Sequence, residues 1–244
     1  MKKFNFFGLL LTLVLAVGCG TKKNSATTGD NSMNALDWEG VYIMEQQNDL
    51  PEIQLTLKSN NTYQIIVSNW NKQPDNTYFE GKFTWDKTGG FIQMDQLISN
   101  INTSKLKVGE NVLWAKDGST ENIKFIKMDV NPALTEKYWK LVAVNDIKIT
   151  NKDFIETEPH IMFKSEFNHV RGNDGCNQFQ GGFEINGNKI TFGRMLSTLK
   201  ACPDVFASTE FRKLLSEEIT FEVKNDKLTL KTKNDTFQFE AVYF

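Results

Sequence analysis

Three cysteines carry most of the chemistry this sequence could support. Cys19 ends an apolar start, while Cys176 and Cys202 lie in the second half of the 244 residues. A thiol pair can form a disulfide, cycle between redox states or hold a soft metal. Metal is poorly supported, because His160 and His169, the two histidines, sit at none of the short spacings from a cysteine that zinc sites use. In a chain that leaves the cytoplasm a disulfide is the default for such a pair. A single histidine near a strand is more often a bonded structural side chain. Nucleophilic catalysis has no pattern to rest on: there is no Gly-x-Ser-x-Gly, no His-Glu-x-x-His and no free cysteine with an evident histidine partner. Glu217-Glu218 reads as a solvated helix face. The expectation is a protein that is not an enzyme and holds no metal and no cofactor.

The start of the chain decides the compartment. Lys2 and Lys3 precede an apolar run from Phe6 to Val17, interrupted only by Gly8 and Thr12, and Ala16-Val17-Gly18-Cys19 follows. A basic start, a short apolar run and small residues before a cut site describe a signal peptide, here residues 1–18. The run is shorter than the roughly 20 residues of a spanning helix. Gly18-Cys19 resembles a lipobox, with Ala16 where many carry leucine. The resemblance implies a diacylated Cys19 with palmitate-type chains, and so a membrane as partner. The alternative is an ordinary secretory peptide that leaves a free Cys19 thiol. Gly20, rather than an aspartate, follows the cysteine, which by known sorting rules implies the outer membrane. Residues 19–34 are almost devoid of apolar side chains and predict a flexible tether.

The remaining composition, with a net charge of −2, 40% hydrophobic and 12% aromatic residues, provides for real cores and lacks the basic excess of nucleic-acid binding. Ile53, Leu55 and Leu57 alternate with polar residues, as do Tyr63, Ile65 and Val67, and Gly81, Phe83 and Trp85. Asn, Asp and Gly turns separate them, and Val112–Trp114 and Ile123–Met128 add closing strands. That pattern predicts an antiparallel meander, barrel or sandwich, with no helix before Pro132. Asn131-Pro132-Ala133 marks a boundary. Beyond it the strand candidates are 139–144, 160–164, 183–185, 189–192, 219–223, 227–232 and 236–243. Asp204 to Glu218 spaces Ala207, Phe211, Leu214 and Leu215 as a helix does, with Asp204 or Ser208 available as N-cap. The fold expected is mainly β with some α: an antiparallel β-barrel over 35–131, then an α+β domain over 134–244 with one helix on a curved sheet.

The second domain carries the most specific segment. Gly172-Asn173-Asp174-Gly175-Cys176-Asn177 is followed by Gly181, and Thr198, Ala201 and Cys202 come later; Trp139 and Leu141 open the domain. This order of blocks resembles the META/HslJ-like family over residues 134–244. The glycines at 172, 175, 181 and 182 allow tight turns and positive φ, and Asn177 is able to bond the backbone of its own turn. Such a cluster is first of all a turn former, so Trp139, Gly172, Gly175, Asn177 and Gly181 are expected to be structural. No Lys-Ser or Lys-Thr follows the glycines, so a phosphate loop is not expected.

Over residues 36–118 the chain resembles the NlpE N-terminal family of copper-homeostasis and adhesion-sensing outer-membrane lipoproteins. The carriers are Trp38-Glu39-Gly40-Val41-Tyr42, Leu50-Pro51-Glu52-Ile53, Asn61-Thr62-Tyr63, Phe83-Thr84-Trp85-Asp86 and Lys107-Val108-Gly109-Glu110-Asn111. Together the two resemblances imply a non-enzymatic envelope lipoprotein in envelope stress response or resistance, with an envelope protein of unspecified identity as a candidate partner. The other reading is a carrier of a small apolar ligand in the barrel mouth. The family usually carries Cys-x-x-Cys ahead of the proline, and here Gln47 and Leu50 stand in those places. Copper(I) selects thiolate and thioether ligands and copper(II) favours imidazole. The first domain has no cysteine or histidine, and Met44, Met94 and Met128 sit in apolar runs where filling a core is the commoner use. Titration of the oxidised protein with copper(I) against a competing chelator should therefore reveal no tight site. Stoichiometric sub-micromolar binding that persists without the second domain would show this wrong.

Overall fold

Alternating side chains need a sheet with one buried face, and the first half provides it by closing on itself. The computed structural model describes residues 31–244 apart from 36, 46–49, 69–75, 116–122, 156, 204 and 244. The expected signal peptide, Cys19 and Gln47 lie outside the described residues. The strands are β1 (Gly40–Met44), β2 (Ile53–Leu57), β3 (Thr62–Val67), β4 (Thr77–Trp85), β5 (Phe91–Ile98), β6 (Thr103–Gly109), β7 (Val112–Ala115) and β8 (Ile123–Met128). Each pairs with the next in antiparallel fashion, and β8 returns to β1, from Val41 opposite Met128 to Met44 opposite Phe125. The result is a closed barrel. Eight strands enclose just enough space for side chains, and Tyr42, Leu55, Tyr63, Phe83, Leu113 and Phe125 occupy it, none more than 2% exposed. Met44 and Met94 are buried in the same core, and Leu50 packs against it.

The connections follow from turn chemistry. Asn61 takes a left-handed φ of 59° between β2 and β3. Asp86 turns β4 into β5, its carboxylate accepting from Thr88 Oγ1 and from the Gly90 and Phe91 amides. Residues 31–34, expected to belong to the flexible tether, are instead docked on the barrel. Ser32 Oγ donates to the Val108 carbonyl at 2.7 Å, and the Met33 amide donates to Gly89 at 3.0 Å.

The second half repeats the solution with a different excursion. Its elements are β9 (Tyr138–Val144), β10 (Ile147–Lys148), β11 (His160–Lys164), β12 (His169–Asn173), β13 (Gln178–Asn186), β14 (Lys189–Phe192), β15 (Leu196–Ser197), α1 (Phe206–Leu214), β16 (Ile219–Lys224), β17 (Lys227–Lys231) and β18 (Thr236–Val242). The sheet runs β9-β11-β12-β13-β14-β16-β17-β18, and β18 pairs back onto β9 from Phe237 opposite Val144 to Val242 opposite Tyr138. The curved sheet therefore closes into a second antiparallel ring, with β10 and β15 attached outside it. Trp139 is fully buried, and its indole N–H donates to the Leu134 carbonyl at 2.8 Å, which ties the barrel to its entry turn.

The helix is shorter than expected and capped differently. Asp204 lies outside the described residues, and Ser208 sits within α1, buried rather than capping. Val205 holds the N-cap position with no side-chain bond, and the Asp153 carbonyl accepts from the Ala207 amide instead at 3.2 Å. Ala207, Phe211 and Leu214 are fully buried, and the Phe211 ring packs on Phe179 of β13 and Phe239 of β18.

Residues 31–244 form one compact unit, and the β11–β12 connection holds its two barrels together. Phe167 and Asn168 both adopt positive φ, 51° and 47°, which turns their backbone toward the outside of the first barrel. There the Phe167 amide donates to Gln54 Oε1 at 2.7 Å, on the outward face of β2 beside Ile66. Asn76 Nδ2 and Tyr78 Oη donate to the Glu166 carboxylate, and His169 stands 3.8 Å from Glu52. Gln54 is only 5% exposed, so its removal leaves a buried N–H without its acceptor. Gln54→Ala should weaken the coupling by about 1–3 kcal/mol. Calorimetry should then show two barrel transitions moving apart, whereas an unchanged thermogram would argue against the joint.

Candidate functional site

The Gly172–Asn177 segment becomes the hairpin between β12 and β13, and side chains rather than glycines build its turn. Asp174 Oδ1 accepts from the Cys176 and Asn177 amides at 2.8 and 2.6 Å, and Asn173 Oδ1 accepts from Gly175 at 2.8 Å. Of the four glycines that allow a positive φ, only Gly175 takes it, at 100°. Gly172 and Gly181 lie within strands for a different reason, close approach. A Cβ on Gly172 would come within 2.1 Å of the His160 carbonyl and 2.5 Å of the Phe179 ring. One on Gly181 would meet Met195 Sδ at 2.4 Å. Gly182 has open space around it.

The Asn177 side chain reaches beyond the backbone of its own turn. Its Oδ1 accepts from Thr198 Oγ1 at 2.8 Å and from the Lys200 amide at 2.7 Å. Residues 196–202 are thereby strapped to the hairpin, and Thr198 Oγ1 accepts from the Gln178 amide at 3.1 Å. Cys176 and Cys202 are disulfide-bonded across the same junction, with Cα atoms 6.2 Å apart, within the range a bridge requires.

The strap forms one wall of a cleft of about 650 Å³ on the outer face of β11, β12 and β13. Strand register sets its floor in two rows. His160, Asn173 and Gln178 stand opposite one another in the first, and Met162, Arg171, Gln180 and Leu196 in the second. Inward positions alternate with these, so Ile161, Val170 and Phe179 belong to the core beneath. His160 stacks on Tyr138 at 4.3 Å, and its Nδ1 lies 2.9 Å from the Glu158 carbonyl. A carbonyl only accepts, so Nδ1 carries the proton. Burial holds the His160 pKa below the ordinary imidazole value, against the opposing pull of Glu158. The neutral ring therefore offers Nε2 as an acceptor. The Glu158 carboxylate is engaged by Lys140 and by Tyr138 Oη. Burial, then Glu158, pushes the Tyr138 phenol up to about 12.

Arg171 is exposed in the cleft, and among the described residues it forms no ion pair and no carboxylate lines the cleft. Arg171, Gln178 and Gln180 are the functional candidates that sequence reasoning passed over. Only the pairing of β12 with β13 shows that they share a face. Among the described residues no three His, Cys, Asp or Glu side chains stand together as a metal site.

The disulfide closes a 26-residue separation, and in the chain-entropy model a loop of that length is worth roughly 3.5 kcal/mol. Reduction should lower the melting temperature of the second barrel and leave the first in place. A second barrel equally stable with free thiols would contradict that expectation.

Comparison with known proteins follows the division into two barrels. Residues 51–124 match the NlpE N-terminal domain, and residues 132–242 match the META domain. No curated protein matches the chain. A crystal structure of a candidate lipoprotein from Shewanella oneidensis is 31% identical, covering 42% of this chain and 99% of that one, with a TM-score of 0.32. An NMR structure from Burkholderia xenovorans is 20% identical, covering 53% of this chain and 99% of that one, with a TM-score of 0.37. A further NMR structure is 22% identical over 46% of this chain and 95% of that one, with a TM-score of 0.39. Superpositions this loose leave the architecture to rest on the strand pairing itself. Two family models thus match successive parts of the chain, one falling within each barrel.

Proposed function

We propose that this chain is a non-enzymatic lipoprotein of the cell envelope, held to a membrane by acyl chains on Cys19 and serving in envelope stress response or resistance. The observation that carries the proposal is the joining of an NlpE-type and a META-type domain behind an apolar run that ends in Gly18-Cys19. One acyl chain binds a bilayer only marginally, and a diacylated cysteine supplies the second chain that stable anchoring needs. Gly20 after the cysteine favours the outer membrane. A non-catalytic role is supported by how the reactive groups are engaged. Cys176 and Cys202 are bonded to each other, so neither thiol is free as a nucleophile. The inward side chains of the first barrel pack against one another as one buried core, which favours a structural lumen over a carrier's.

Mass spectrometry of the native N-terminus and palmitate labelling test the anchor. The mature chain should begin at a lipid-modified Cys19, and Cys19→Ser should accumulate uncleaved or be released from the membrane fraction. A mature protein that starts elsewhere and keeps a free Cys19 thiol would sink the proposal. Cells lacking the chain should also lose viability under detergent or heat challenge, with rescue by the wild type and not by Cys19→Ser.

A further inference from the structure

We propose that the cleft on the outer face of β11, β12 and β13 binds a small hydrophilic anion of the sugar-acid type, its carboxylate held by Arg171 and its hydroxyls by Gln178 and Gln180. The proposal stands on the second barrel alone and does not depend on acylation or on a stress role.

Charge comes first. Arg171 is exposed at the centre of the second row, between Met162 and Gln180, and has no anionic partner among the described residues. A guanidinium fork matches the two oxygens of a carboxylate. One cation, with no other charged side chain among the described residues of the cleft lining, suits a singly charged ligand. A phosphate monoester calls for more donors, such as backbone amides at a helix start, and no helix N-terminus lines the cleft.

The neighbours set the rest of the ligand. Gln178 and Gln180 are exposed, and neither side chain bonds another described residue. A primary amide both donates and accepts, as a hydroxyl does, so amides suit a ligand with several hydroxyls. Asn173 has its Oδ1 committed to Gly175, which leaves the Nδ2 donors. His160 Nε2 adds an acceptor in the same row. Residues two apart on one face of a strand are separated by about 7 Å, a span that one pyranose ring bridges. The volume of about 650 Å³ admits one or two such rings. An apolar ligand is disfavoured, since it would strip water from Arg171 and both glutamines without replacing their hydrogen bonds.

Titration calorimetry on the full chain in detergent micelles tests the proposal, with glucuronate as the probe and glucose, acetate and inorganic phosphate as comparisons. Glucuronate should bind in roughly the millimolar range or tighter. Glucose and acetate, each lacking half of the match, should bind at least about tenfold more weakly, the scale of one charged hydrogen bond. Arg171→Gln should weaken glucuronate by a similar factor while leaving the melting temperature unchanged, because the side chain is exposed. Gln180→Ala should weaken glucuronate and have no effect on acetate. Four outcomes overturn the proposal: no glucuronate binding up to about 50 mM, glucose binding equally well, phosphate binding equally well, or an Arg171→Gln chain that binds as the wild type does.

Discussion

In each half of this protein the last strand returns to pair with the first. β8 closes on β1, and β18 closes on β9 along its whole length, with one irregularity between Gln238 and Phe239. An open sheet would leave a row of N–H and C=O groups at each edge, available to any passing strand. Closure satisfies those groups within the chain. Each barrel is also continuous in sequence, so the passage from one to the other is confined to residues 129–137. Asn131 makes that passage a turn, its carbonyl accepting from the Leu134 and Thr135 amides and its side chain from Ala133. Both lumens are then lined by alternate residues and filled by aromatic and aliphatic side chains. Polar side chains are left to the outer faces and to the connections between strands.

The second barrel shows how core packing builds such an outer site. Gly172 has no side chain, so the Phe179 ring can lie over it. Phe179 in turn packs on Phe211 of the helix, and the helix lies at the end of the strap that begins at β15. The residues that fix the core thus also fix where the strap can run. Asn177 and the Cys176–Cys202 bridge hold it beside β13, and the cleft is the space left between strap and sheet. Small-to-large change at Gly172 would be felt at the cleft as well as in the core, because one ring connects them.

Where inward residues are large and alternate with polar ones, as in β2, β3 and β16 to β18, the strands and their turns were legible in the sequence. β12 was not, because its inward positions are Val170 and Gly172, and a glycine beside Asn173-Asp174-Gly175 reads as turn. The glycine is there to admit Phe179 from the partner strand, a tertiary demand that no local pattern displays. β5 was hidden by its own irregularity. Its pairing with β6 shifts between Gln93 and Ile98, and Asp95 leaves the ladder to accept from Tyr63 Oη and the Lys82 amide. The motif residues Gly172, Gly175, Asn177 and Gly181 were visible as a group, while Arg171, Gln178 and Gln180 were scattered until β12 and β13 were paired. The joint between the barrels was equally silent, since Gln54 looks like any outward residue of an alternating strand.

That joint gives the two rings a fixed relation inside one unit, but ring closure comes before it. Hydrogen exchange by NMR on the backbone amides of β9 and β18 addresses closure directly. If the ring is closed, amides on both sides of β18 exchange as slowly as those of β17 and β16, since opening any of them requires global unfolding. Rapid exchange confined to the β9-facing amides of residues 236–242, with the β17-facing amides still protected, would mean an open edge and contradict the closed barrel.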